Sequence, residues 1–305
     1  MQPPSRRTLL ALGLLTTLTA CTGGSPGHVP APAPDPDTPA RLRAIAATDR
    51  LLGGYERLLA APDAQGALLR PLRDETARHR AALLQGLPTA GPSPTGTPTE
   101  AVPTTAGLAA LERRAAESHL ADLAEVGPDL ARLLASIAAA RALHAAALGD
   151  PTPVTTPDDR DPTTPAATAA AVPALQGVLG AEHAAVYGYG VVGARLADER
   201  QRADARADHA AHQARRDAWQ RLLAAATATP TPAAGGYRLP FPVTSPADAG
   251  RLAVHLETRL TTVYADLVAT APAPYRPQAA TALRESAVRA LRWGAPATAF
   301  PGLPG

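Results

Sequence analysis

The sequence predicts an all-α protein built as two four-helix bundles in tandem. Helical periodicity fills eight long segments and alternating strand patterns are almost absent. Aromatic residues are only 3% of the chain, too few for an aromatic-rich β core. A Pro/Thr/Asp-rich stretch near the middle divides the helical part into similar halves.

Before the helices comes a leader. Ser5-Arg6-Arg7-Thr8 opens an apolar run from Leu9 to Leu18, which ends in Leu18-Thr19-Ala20-Cys21. That run is far shorter than the roughly 20 residues needed to span a bilayer as a helix, so it reads as a signal-peptide core. The pair Arg6 and Arg7 resembles the twin-arginine export signal, and Leu18 to Cys21 resembles a lipoprotein lipobox in which Cys21 takes a diacylglycerol. Cys21 is the single cysteine, so the chain has no internal disulfide and no Cys-x-x-Cys metal site. Residues 1–20 are the expected signal peptide and residues 21–37, rich in Gly and Pro, a stalk.

Removing residues 1–20 takes away Arg6 and Arg7 and no acidic residue, so the formal charge of +2 falls to zero. A balanced chain without a basic run has no electrostatic footprint for nucleic acid. All 29 basic residues are arginine, a bias that weakens the functional reading of any single arginine.

The first bundle is expected over residues 38–149, with helices over 40–60, 64–85, 105–125 and 128–148 broken at Pro62 and Gly127-Pro128. A linker follows over residues 150–170. The second bundle is expected over residues 171–298, with helices over 173–197, 200–226, 245–270 and 276–293. Both halves place their long loop between the second and third helices, at residues 86–104 and 227–244. A helix of about 22 residues is about 33 Å long, and a loop of that size runs its full length. The third helix then starts at the same end as the second, giving the up-down-down-up connectivity of ferritin-like bundles. Local similarity points to a duplication: Leu111-Glu112-Arg113-Arg114 recurs as Leu256-Glu257-Thr258-Arg259, and the Glu75 to His79 stretch echoes Asp208 to His212.

Three segments of the second half carry a resemblance to a known family: Ala181-Glu182-His183 through Tyr187-Gly188-Tyr189-Gly190, Ala211-His212-Gln213 through Asp217, and Leu239-Pro240-Phe241-Pro242-Val243. They resemble a ferritin-like domain of unassigned function found in lipoproteins of high-GC Gram-positive bacteria. The resemblance spans roughly residues 173–300 and implies a fold and an envelope location. It implies no activity.

Di-iron proteins of ferritin-like fold use one Glu from each of two helices and a Glu-x-x-His pair from each of the others. Glu182 shares an apolar stripe with Leu175, Leu179, Val186 and Tyr189, so it should face inward. His212 lies on the face of Trp219, Glu257 beside Leu260 and Tyr264, and Glu285 one turn before Val288. Neither Glu-x-x-His pair is present, since the second helix reads His209-Ala-Ala-His212. Two readings of Glu182, His209, His212, Glu257 and Glu285 follow. In the first, Glu182 and His212 form a buried hydrogen-bonded pair that specifies packing, with Arg216 or Arg259 joining. In the second, two His and carboxylate hold one Fe, Mn or Zn ion.

His183 and His255 are expected to be solvated. In the first half Glu75, His79, Glu112, Ser136 and His144 are expected to be structural. Gly188 and Gly190 should admit a close neighbour, and Tyr187 to Gly190 could shape a pocket. No catalytic motif for nucleophilic, phosphoryl or zinc-peptidase chemistry is present. The sequence thus leads to a lipid-anchored lipoprotein on the outer face of the cytoplasmic membrane. Its expected role is non-enzymatic, binding or scaffolding an envelope protein partner, without a cofactor; a metal-dependent redox or metal-handling role is the alternative.

Overall fold

The computed structural model describes residues 35–61, 65–85, 87, 104–150 and 168–304, and they are all-helical, with no strand among them. Arg6, Arg7 and Cys21 lie outside the described residues. The helices are α1 (Thr38–Leu59), α2 (Gly66–Leu84), α3 (Thr105–Ala121), α4 (Pro128–Ala147), α5 (Val172–Arg195), α6 (Glu199–Ala225), α7 (Pro246–Thr270) and α8 (Arg276–Arg292).

Proline and short polar side chains set the starts. Pro39, Pro128, Pro173, Pro246 and Pro277 occupy the first turn of their helices, where a missing N–H costs nothing. Thr104 Oγ1 accepts from Gly107 N–H at 3.0 Å, and Asp198 from Gln201 N–H at 2.9 Å. Ser245 and Asp248 form a reciprocal capping box at the head of α7.

In the first half α1 packs on α2 and α3, and α3 on α4; in the second, α5 packs on α6 and α7, and α7 on α8. The sequence left open whether the halves touch. They do, because α4 also packs along α8 and α7, and residues 35–305 form one compact unit. One continuous apolar cluster runs from Ala40 and Leu83 through Leu130, Leu134 and Ile137 to Leu175, Leu179, Tyr264 and Leu283. Helix α4 is long and apolar enough to cross a membrane, but 72% of that stretch is buried inside the protein, so it serves as a core helix shared by both halves.

Two polar clasps pin α8 to the first half. At its start Arg276 Nη1 donates to the carbonyls of Leu123 and Val126, at 2.9 and 2.6 Å. Beyond its end the chain turns back, and Ser136 Oγ donates to Pro301 O at 2.8 Å. The α6–α7 connection packs inward as well, with Leu239, Phe241 and Val243 against Tyr189, Val192 and Leu252.

Gly188 explains itself at the α5–α7 contact. A Cβ there would lie 2.6 Å from Leu256 Cδ1, so the two helices approach through the missing side chain. Gly190 faces open space, and nothing in its surroundings requires glycine.

Candidate functional site

The second half buries a polar cluster to which each of its helices contributes one carboxylate. Heptad spacing aligns the members: Glu182 and Tyr189 on α5, Asp208 and Arg215 on α6 with His212 between them, Glu257 and Tyr264 on α7, Glu285 and Arg292 on α8 with Arg289 between them. Glu182 and Glu257 are fully buried, and His212 is 1% exposed.

His212 bridges two carboxylates. Its Nδ1 lies 2.8 Å from Glu182 Oε2 and its Nε2 3.0 Å from Glu257 Oε1. Carboxylate oxygens only accept, so both ring nitrogens carry protons and the ring is an imidazolium. Burial works against that charge, but Glu182 and Glu257 outweigh it and push the pKa up to about 10. Burial likewise opposes the Glu182 carboxylate, and His212 with Arg215 overcomes it and holds the pKa below the usual range. Tyrosines complete the shell. Tyr189 donates to Glu257 Oε1 at 2.6 Å while stacking on His212, and Tyr264 donates to Glu182 Oε1.

Arginines saturate the remaining carboxylates. Arg215 Nη2 reaches Glu285 Oε2 at 2.5 Å, and Arg289 Nη2 reaches the same oxygen at 3.2 Å. Arg292 and Trp293 Nε1 bind Asp208, the indole at 2.8 Å, and Arg289 Nε lies 3.3 Å from it. Glu182, Asp208, Glu257 and Glu285 are thus matched one for one by His212, Arg215, Arg289 and Arg292. The cluster is neutral within itself, the condition under which buried charge is tolerated.

The first half repeats the plan. Tyr55 donates to Glu112 Oε1 at 2.7 Å, as Tyr189 does to Glu257. His144 bridges Glu112 and Glu75 at 3.1 and 3.0 Å. Arg141, fully buried, donates to Glu112 Oε2 at 2.9 Å, to Thr48 Oγ1 at 2.7 Å and to His119 Nε2 at 3.2 Å. Burial would raise the Glu112 pKa, yet His144 and Arg141 bring it down to about 2. His144 is raised against its own burial by Glu112 and Glu75, whereas burial and Arg141 lower His119, which stays neutral and accepts from Arg141.

The spacings register the halves on each other. Thr48 and Tyr55 match Glu182 and Tyr189; Glu75 and His79 match Asp208 and His212; Glu112 and His119 match Glu257 and Tyr264. Arg141-Ala-Leu-His144 matches Arg289-Ala-Leu-Arg292, a repeat the sequence contains and a scan of acidic segments misses. The pair Glu75–His144 becomes Asp208–Arg292 between the same two helices.

Of the residues singled out by sequence, Glu182, His212 and Glu257 meet directly and Glu285 joins through Arg215. His209 is half-buried one turn before His212. Arg215, rather than Arg216 or Arg259, joins the cluster. His183 is buried, its Nε2 3.1 Å from Thr231 O, so it is not the solvated residue expected. Metal ligation needs a bare imidazole nitrogen beside open carboxylate edges; Glu257 Oε2 is without a partner, but both nitrogens of His212 face carboxylates and two guanidinium groups hold Glu285. As arranged these residues do not fit a metal centre, and among the described residues no group of His, Cys, Asp and Glu is set to hold a metal ion.

The fold and the site define an all-helical protein with two buried, internally neutral ion-pair clusters. Residues 174–305, which contain the whole second cluster, match the model of a family described as a domain of unknown function, DUF4439. A crystal structure of a conserved hypothetical protein from Mycobacterium tuberculosis is 42% identical over 41% of this chain and 87% of its own, with a TM-score of 0.39. No curated protein matches the chain.

Proposed function

We propose that this is a lipid-anchored lipoprotein of the cell envelope, made of two ferritin-like up-down-down-up bundles and acting by binding or scaffolding rather than by catalysis. Export through Arg6 and Arg7 and a diacylglyceryl group on Cys21 would hold it on the outer face of the cytoplasmic membrane. The bundle reading is supported by the ring of packed helices α1, α2, α4 and α3 in the first half, and in the second by the packing of α6 on α5, α5 on α7 and α7 on α8 with ion pairs closing α6 onto α8. The observation that carries the non-catalytic role is the one-for-one matching of buried carboxylates with cations, of which His212 and Arg215 are buried, Arg289 is half-buried and Arg292 reaches the surface. A general acid or base must be free to exchange its proton with a substrate, and the buried carboxylates here are committed to these cations.

A metal-handling role is the second reading, favoured by the convergence of Glu182, His212 and Glu257. It requires His212 to lose a proton and both Arg215 and Arg289 to leave Glu285. One preparation separates the readings. The full chain is expressed in a related host fed an alkyne-tagged fatty acid, then tested for label and for metal content beside Cys21→Ala and a Glu182→Ala, His212→Ala double variant. Label that vanishes with Cys21→Ala, and metal far below one ion per chain, are expected. Unlabelled protein refutes the anchor; stoichiometric Fe, Mn or Zn that disappears in the double variant refutes the non-metal role.

A further inference from the structure

The segment after α8 is held on both halves of the protein at once. On α7 it is seated by Gly302, whose φ of +82 suits glycine and whose Cβ, if present, would run into the Thr261 carbonyl and Ala265. On the first half it is held by Ser136 at Pro301 O and by His79, whose Nε2 lies 2.7 Å from Ala299 O. The Phe300 ring stands edge-on to the His79 ring at 5.3 Å. The segment also walls a cavity of about 250 Å³, with Phe300, Pro301 and Leu303 facing Ala287, Leu291 and Thr258.

His79 is the weak point of this seat. It is fully buried, and since Ala299 O can only accept, the ring's proton sits on Nε2. Nδ1 is buried with no partner. A second proton there would find no acceptor, and the surroundings oppose it. Arg141 and His144 on α4 are cationic, and their charge is already taken by Glu112 on α3 and Glu75 on α2; His119 on α3 is neutral and Tyr55 on α1 is committed to Glu112.

We propose that residues 295–303 are an acid-released strap: protonation of His79 is accommodated only by lifting the strap from its seat, which admits water to Nδ1 and opens the cavity wall. Burial, then Arg141 and His144, hold the His79 pKa well below its ordinary value. A group depressed in this way stabilises the closed form above the open-state value near 6.5, and that stability is lost as the pH falls below it.

Hydrogen exchange read by mass spectrometry on the full chain in detergent tests this, following the amides of Ala299, Phe300, Gly302 and Leu303 after correction for intrinsic exchange. One coupled proton makes the opening constant rise about tenfold per pH unit below about 6.5, so protection should drop about thirtyfold between pH 7.5 and 5.0. His79→Gln keeps a donor for Ala299 O and cannot take up the proton, so its protection should be flat. Ser136→Ala should weaken protection equally at every pH and leave the slope unchanged. Wild-type protection that changes less than about twofold, or a His79→Gln slope equal to wild type, overturns the proposal. Should His79→Gln fail to fold, the imidazole nitrogen resonances of the wild type decide. His79 must stay neutral while the strap amides are protected, and titration near 6.5 with the strap still closed overturns the proposal.

Discussion

Replacing Arg141 with methionine isolates the energetic logic of the clusters. Both Arg141 and its partner Glu112 are fully buried, so water cannot take over when the guanidinium goes. Methionine keeps much of the apolar stem but removes the bonds to Glu112 at 2.9 Å and to Thr48 at 2.7 Å. Glu112 and Glu75 are then left with His144 as their one shared cation. Removing one partner of a buried pair costs about 3–5 kcal/mol, because the surviving charge is stranded. At about 2–4 °C per kcal/mol for a unit of this size, Tm should fall by about 6–20 °C. Denaturant and thermal melts of wild type, Arg141→Met, Glu112→Gln and the double variant at pH 7 measure it. The double variant removes a charge of each sign and leaves Glu75 with His144, so it should recover most of the loss. The deficit of the single variant should also narrow as pH falls, since Glu112 without Arg141 protonates more readily. A single-variant cost under about 1 kcal/mol, or a double variant no more stable than the single, would refute the reasoning.

Three further outcomes follow from the same geometry. His212, raised to about 10, contributes stability fully present below about 6.5 and lost as pH rises through about 10, so wild type should lose stability from pH 7 to 10 by denaturant titration while His212→Gln loses much less. Gly188→Val places a Cβ 2.6 Å from Leu256 Cδ1 and should cost about 1–3 kcal/mol in a thermal melt, with Leu256→Ala in the same chain restoring part of it. Gly302→Ala should cost about 1–3 kcal/mol locally and raise exchange in the strap, because φ is +82 and the Thr261 carbonyl blocks the new methyl.

The helices were legible because their punctuation is covalent. Proline at Pro39, Pro128, Pro173, Pro246 and Pro277 stops the preceding turn and starts the next, and each observed helix begins and ends within a few residues of its expected bounds. The inward face of α5 was legible too, since Glu182 rides a stripe of Leu175, Leu179 and Tyr189. The cations were not. Among 29 arginines, periodicity gives no reason to choose Arg141, Arg215 or Arg289, each of which reads as a solvated helix residue until its partner across the core is known. That partner is fixed by tertiary packing, which also buried His183 under the α6–α7 connection at Thr231. The signal that could have found Arg141 and Arg289 is Arg141-Ala-Leu-His144 against Arg289-Ala-Leu-Arg292, and that repeat does not reach Arg215.

The registered halves also explain why His79 buries an imidazole Nδ1 without a partner, as His119 does. His212 Nδ1 donates to Glu182, and the position matching Glu182 in the first half is Thr48, which carries no charge and accepts from Arg141 instead. His79, the match of His212, thereby loses its acceptor, keeps a bare Nδ1 and stays neutral. Each half holds neutrality by exchanging two groups together: a carboxylate with an imidazolium in the second, a hydroxyl with an imidazole in the first. Thr48→Glu should restore the missing acceptor, so that His79 takes up a proton near neutral pH and the strap no longer responds to acid. Arg141 lies beside position 48, but it and His144 already balance Glu112 and Glu75, so the cluster stays neutral only if His79 answers the new carboxylate. Thr48→Glu with His79→Gln should therefore be about 3–5 kcal/mol less stable than Thr48→Glu alone, the cost of one unbalanced buried charge. Equal stability of the two variants, or a strap in Thr48→Glu that still opens with acid as in wild type, would show that the two halves do not share one electrostatic plan.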